Sequence, residues 1–394
     1  MTQSTVAAGT RRGRVHGAWV ALQHAAPALT AYAAIRALGL AVLAVWAAVT
    51  GRDAHLLLVS WDAQWYRAIA EHGYGFVRIH EDGRALSDFA FFPLFPGLER
   101  VVAEATGLRV VDAGLVVSAV ASLVAAWGIF AVGDQLHGRR VGVLLTVLWA
   151  ASPVGIVQSM AYSESLFTAL AAWSIYAVLT GRWVWAGVLA GLAGLTRPVG
   201  VAVIAAVVLA AAVAVLGARR STDPGSARRS RQGWRVLAGA VVAPLGWLGY
   251  VGWVGFRTDG MLGYFDVSGR WGNTFDGGAA FALWIRALLT GSTFWMGLLL
   301  CAGVAVLGWL FLLCVQQRQP LPLLVFSGVL LLLALMTSGY FGSKPRFLVP
   351  AFPLLLPVAL ALERRPVAGN AVVALLATAS ALYGAYWLHG AGPP

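Results

Sequence analysis

The sequence predicts an all-α polytopic membrane protein, and three observations carry that expectation. Only 11% of its 394 residues are charged while 59% are hydrophobic, and the mean hydropathy is +0.77; a soluble domain averages about 25% charged residues. Apolar runs close to the roughly 20 residues that span a bilayer recur along the chain. The basic residues gather between alternate runs, as the bias of Arg and Lys toward cytoplasmic loops requires.

The first apolar run, 28–49, follows Arg11, Arg12 and Arg14. It exceeds the roughly 7–15 residues of a signal-peptide core, so it reads as an uncleaved signal-anchor behind a cytoplasmic tail, 1–27. A long first extracytoplasmic loop, 50–112, is expected to carry interfacial helices. Further spans are expected at 113–133, 141–160, 163–180, 183–196, 199–217, 236–256, 293–315, 320–338, 346–362 and 367–388, for about eleven in all. They form a single membrane domain, 28–388, with a basic cytoplasmic loop at 218–235, a second extracytoplasmic loop at 257–292 and a tail at 389–394. With the N-terminus inside, the cytoplasmic pieces hold fifteen basic residues against three acids, Asp134, Asp223 and Glu363. Reading 183–217 as one kinked helix would move the basic run outside, so two spans meeting at an outer Thr196-Arg197-Pro198 turn are expected. This places the protein as a multi-pass component of the cell membrane.

Other chemistry is limited. Cys301 and Cys314 lie in one apolar run about 20 Å apart along a helix, so they cannot pair, and no zinc spacing is present. The ratio of 27 Arg to one Lys, with the Ala and Gly richness, suggests a GC-rich bacterial genome rather than a function. The Arg-rich stretch 218–235 suits anionic inner-leaflet lipid. It lacks the fold motif or aromatic interleaving of a nucleic-acid surface, so no nucleic-acid partner is expected.

Candidate site residues concentrate in loop 50–112. At helical spacing Trp61, Trp65 and Ile69 make an apolar stripe, with Asp62 and Tyr66 on the adjoining face of a short interfacial helix. Asp62 reads either as a helix N-cap or as a carboxylate placed to meet the head group of a lipid-linked substrate. Ser87 to Gly97, rich in aromatics and prolines, suits a rigid turn into a second amphipathic helix, 94–107. Glu164, beside Tyr162, Ser163 and Ser165, begins a span. It is either stabilised there by the helix N-terminus or part of a site, the default reading for an acid at membrane depth. Arg197, Lys344 and Arg346 map to the outer face, where a lipid phosphate is one reason for cations and snorkelling or ion pairing is another. His72 and His80 with Glu71, Glu81 and Asp82 match no helix-based metal motif, so no metal and no cofactor are expected.

Three stretches resemble the PIG-V family. These are Trp61-Asp62-Ala63 with Tyr66 and Glu71-His72-Gly73-Tyr74; Phe89-Ala90-Phe91-Phe92-Pro93-Leu94-Phe95-Pro96; and Ser152-Pro153 leading to Tyr162-Ser163-Glu164-Ser165-Leu166-Phe167. Leu195-Thr196-Arg197 followed by Gly200 agrees as well, although Pro198-Val199 stand where the family usually carries a polar pair. That family comprises mannosyltransferases of GPI-anchor assembly and many bacterial relatives. The resemblance implies a GT-C membrane glycosyltransferase fold, a polyprenyl-phosphate mannose donor and a glycolipid or lipoglycan acceptor. By motif position it makes Asp62 the catalytic acid of the first outer loop. In the expected single displacement Asp62 is the general base. Lys344, Arg346 and Arg197 bind the donor phosphate, and Trp61, Tyr66, Tyr162, Glu164 and His72 position substrate. The rival classes are a lipid or sugar transporter, which would show inverted repeats and mid-membrane charges, and a non-catalytic assembly subunit.

Overall fold

A computed structural model of the chain describes residues 3–80, 82–220, 226–390 and 392, with side chains described outside 3–18, 219–220 and 226–232. Glu81, Asp223 and the tail residues 391, 393 and 394 lie outside the described residues.

Helix α1 (Gln3–Thr50) is followed by α2 (Ala54–Leu58), α3 (Asp62–His72), a β1–β2 hairpin (Val77–Ile79 and Ala85–Ser87) and α4 (Leu94–Thr106). Next come α5 (Val110–His137), α6 (Arg139–Ala150), α7 (Glu164–Leu179), α8 (Trp183–Gly194) and α9 (Val201–Arg220). The remainder is α10 (Ser226–Val242), α11 (Leu245–Arg257), α12 (Gly263–Arg270), α13 (Ala279–Thr290), α14 (Phe294–Gln316), α15 (Leu321–Met336), α16 (Lys344–Phe347), α17 (Leu356–Glu363) and α18 (Pro366–His389). The hairpin pairs Val77 with Ser87 and Ile79 with Ala85, antiparallel.

Six helices among the described residues are long and apolar enough to cross a membrane: 19–50, 110–137, 198–218, 233–257, 294–316 and 366–389. A seventh crossing results if 341–347 and 352–363, bent by 76°, act as one broken span. The protein is therefore a multi-pass membrane protein, with fewer full-length crossings than the eleven expected. Helices α7, α8 and α15 fall where spans are expected but have only 16, 12 and 16 residues. The expected span 141–160 ends at Ala150, followed by a turn and a 3-10 segment, Gly155–Ser159. Trp149, Ile156, Val157 and Met160 are buried in protein. Helices and turns enclosed by protein need not match the bilayer thickness, because their polar backbone never meets lipid.

Other boundaries shift too. Helix α1 runs through most of the expected tail, the basic loop 218–235 is largely the end of α9 and start of α10, and loop 257–292 holds α12 and α13. The stretch 183–217 is two helices, as expected, separated at Leu195–Gly200. A side chain added at Gly200 would come within 2.7 Å of Gly194 Cα, so only glycine allows this close approach.

The main core lies among α1, α5, α6, α7, α8, α9 and α15. Trp149 stacks on Tyr32 at 5.4 Å and donates to Val349 O at 2.9 Å. Buried Arg36 of α1 donates to Gly155 O and Ala150 O, gripping the end of α6. Over one end of this bundle lies a second layer, α3, the hairpin and α4. It is packed through Trp65, Tyr66, Phe91 and Phe95.

Candidate active site

The N-terminus of α3 is aimed by its neighbours. Ala161 N donates to Leu58 O at 3.2 Å, and Tyr162 Oη both donates to Ser60 O and accepts from Asp62 N, at 3.3 and 3.4 Å. Trp61 precedes the helix with φ 56° and ψ −114°, and Asp62 is the first helical residue. Asp62 is not an N-cap, so its carboxylate is released from that duty and points across to the chain near residue 346.

There Asp62 Oδ2 meets Arg346 Nη2 at 2.8 Å. Arg346 Nε lies 3.1 Å from Glu164 Oε1, and Arg197 Nη1 reaches the same oxygen at 2.5 Å. Arg197 also donates to Ser163 Oγ at 3.2 Å, and Ser163 in turn hydrogen-bonds Tyr66 Oη at 2.8 Å. The rings of Tyr162 and Phe347 flank the Arg346 guanidinium at 5.1 and 5.6 Å. Two carboxylates and two guanidinium groups thus form a neutral, alternating chain. Such pairing offsets the cost of burying the charges. Burial also pushes the Tyr66 hydroxyl well above its usual range, so it remains a neutral phenol.

The four charges are not equivalent. Glu164, Arg197 and Arg346 side chains are 1–8% exposed, whereas Asp62 is 22% exposed. Asp62 Oδ1 has no partner among the described residues. Arg346 Nη1 and Glu164 Oε2 are buried without a hydrogen-bond partner. The least buried member therefore carries the free acceptor, beside a guanidinium with a spare donor.

Of the candidates read from sequence, Asp62, Tyr66, Tyr162, Glu164, Arg197 and Arg346 converge here, and Trp61 borders them. Lys344 does not join them: its ammonium donates to Ala334 O and Thr337 O at 2.5 and 2.7 Å, between the rings of Phe281 and Phe341. It caps the C-terminal end of α15, a favourable place for a cation. His72 is also remote, at the opposite end of α3 about 15 Å along the helix from Asp62, exposed and 3.7 Å from Glu71. Ser163 had no assigned role, although it stands between two candidates in the sequence. No group of three or more His, Cys, Asp or Glu among the described residues is placed to hold a metal ion.

Among solved structures, ArnT from Cupriavidus metallidurans bound to undecaprenyl phosphate superimposes with a TM-score of 0.51 at 18% identity, covering 84% of this chain and 60% of ArnT. The class is thereby a GT-C membrane fold. Residues 95–226, from α4 to the start of α10, match the family described as dolichyl-phosphate-mannose-protein mannosyltransferase. The archaeal oligosaccharyltransferase AglB from Archaeoglobus fulgidus, in complex with an inhibitory peptide and a dolichol-phosphate, aligns at 14% identity. It covers 90% of this chain and 56% of AglB, with a TM-score of 0.46. The chain spans no more than 60% of the length of either structure. No curated protein matches it.

Proposed function

We propose that this chain is a membrane glycosyltransferase of the PIG-V type. It would move a mannosyl residue from a polyprenyl-phosphate mannose to a hydroxyl of a glycolipid or other envelope acceptor, on the extracytoplasmic face. The observation that carries the reading is the pairing of a partly exposed Asp62, one oxygen free, with Arg346, whose Nη1 is buried and unpartnered. A base and a phosphate-matching cation side by side are what transfer from a lipid phosphate needs.

In a single displacement the acceptor oxygen attacks the sugar C1 while the bond from C1 to the phosphate oxygen breaks. The acceptor proton passes to Asp62 Oδ1, and the bonding electrons leave on the polyprenyl phosphate. Arg346, whose guanidinium Asp62 and Glu164 already hold in place, is the cation that meets that charge. Arg197 acts through Glu164 and Ser163, holding the first in place and Tyr66 through the second. Trp61, Tyr66, Tyr162 and Glu164 shape the cleft for sugar and acceptor. Lys344 and His72 take no part in this donor site. The family match over 95–226 and the fold shared with an undecaprenyl-phosphate-bound ArnT support a polyprenyl-phosphate donor.

The test is Asp62→Asn, assayed in membrane vesicles with radiolabelled polyprenyl-phosphate mannose. Loss of a general base lowers transfer by about 10²–10⁴-fold. Undiminished transfer with normal membrane insertion would sink the assignment. Mass spectrometry of envelope glycolipids from a deletion strain, searching for a missing hexose, identifies the acceptor.

A further inference from the structure

Along α7, from Leu166 toward the end opposite Glu164, runs a feature that this reaction does not use. An apolar groove of about 350 Å³ runs between α4, α5 and α7, walled by Val117, Val120 and Val124 on one side and Leu166 and Leu170 on the other. It meets a second hollow of about 170 Å³ through two shared residues, Trp173 and Leu189. Trp173 is fixed there, its indole N–H donating to Val124 O at 3.0 Å and its ring set edge-on to Trp127 and Tyr176. The second hollow ends in Tyr176, Trp185 and Arg182. An almost wholly apolar groove is therefore adjoined by a hollow lined by two further aromatics and a cation.

Arg182 is held in this position by its backbone. Gly181 has φ 70°, and Arg182 N donates to Ala177 O at 2.7 Å. Its guanidinium is exposed and makes no hydrogen bond or ion pair among the described residues, in contrast to Arg197 and Arg346. Arg235 is exposed on α10, which packs on α8 where Gly239 meets Trp183. Trp and Tyr rings favour the level of lipid head groups, and a free guanidinium matches a phosphate diester.

We propose that this groove is a binding site for an anionic phospholipid. Its phosphate lies on Arg182 between Trp185 and Tyr176, and one acyl chain lies along α7 and α5. A chain one leaflet deep, about 15 Å, reaches the level of Leu170, within the groove. The head-group end is distinct from the Asp62 cluster, because Arg182 lies beyond the helix end opposite Glu164, while the groove's far wall, Leu166 and Val117, backs onto the layer that holds Tyr66.

Native mass spectrometry of the purified full chain tests this, after equilibration with mixed micelles of phosphatidylglycerol and phosphatidylethanolamine of identical acyl chains. The chain is expected to retain phosphatidylglycerol about fivefold better, the effect of one cation near an anionic head group. Arg182→Ala abolishes that preference, while Arg182→Lys keeps part of it. Val120→Trp, at a lipid-exposed wall of the groove, lowers retention of both lipids. Equal retention by the wild type overturns the proposal, as does an unchanged preference in Arg182→Ala. Stoichiometric displacement of phosphatidylglycerol by undecaprenyl phosphate also overturns it, since the groove would then belong to the carrier lipid.

Discussion

The two ends of α7 treat charge in opposite ways. At the Glu164 end every guanidinium has a carboxylate within 3.1 Å, and three of the four charged side chains are at most 8% exposed. At the Arg182 end the guanidinium is exposed and has no protein partner among the described residues. Removing one member of a buried network strands its partner in a low-dielectric setting, whereas an exposed cation is readily exchanged for water or lipid. The same residue type therefore serves as a fixed electrostatic element at one end and a replaceable contact at the other.

That contrast predicts a ladder of effects. The largest is expected for Glu164→Ala, which leaves Arg197 and Arg346 facing each other; thermal unfolding in detergent should reveal a loss of about 3–5 kcal/mol. A variant as stable as the parent would mean that the charges are hydrated, and the contrast would collapse. Next, Arg346→Lys preserves charge but not the planar fork that spans Asp62 and Glu164, so transfer is expected to fall by at least about tenfold with modest change in stability. Lys344→Met sharpens this. It removes a contact to the end of α15, so stability should drop by about 1–3 kcal/mol while transfer per folded molecule stays within about twofold. A Lys344 variant that is stable but inactive would return Lys344 to the donor site. Ser163→Ala removes one link between Tyr66 and Arg197 and should cost about 1 kcal/mol.

The smallest effect concerns pH. Glu99 on α4 is 1% exposed, neither oxygen has a hydrogen-bond partner, and burial, with Glu71 nearby, raises its pKa to about 9 from 4.5. The folded state thus holds this proton more tightly than the unfolded chain. Its contribution to stability is complete below pH 4.5 and is lost progressively as pH rises through 9. Glu99→Gln, which mimics the neutral acid, should flatten the decline in melting temperature across that window. A decline as steep as the parent's would show that Glu99 is already ionised in the folded protein.

How much was legible in the sequence depended on whether periodicity or contact decided the outcome. Helix α3 and the shared face of Asp62 and Tyr66 follow from i, i+4 spacing, and the break at Thr196-Arg197-Pro198 follows from proline and charge placement. The early end of α6 does not. Val154, Gly155, Ile156 and Val157 keep the run apolar, and hydropathy cannot distinguish a buried turn from a lipid-facing helix. The three-residue strands of the hairpin are too short for alternation to register. Lys344 and Arg346 are two positions apart with similar chemistry, and only the fold decides that one meets the carbonyls of α15 and the other meets Asp62. Arg36 is a charge inside the apolar run 28–49, but its partners, Gly155 O and Ala150 O, lie more than 110 residues away.

Trp61 has one further consequence. Its φ of 56° with ψ −114° belongs to a turn position normally reserved for glycine, and a bulky residue there costs of order 1–3 kcal/mol. A directed-evolution campaign selecting for heat resistance alone would therefore be drawn to codon 61. Glycine would relax the backbone there while removing the indole that borders Asp62, so hardened descendants are expected to be catalytically poorer ones.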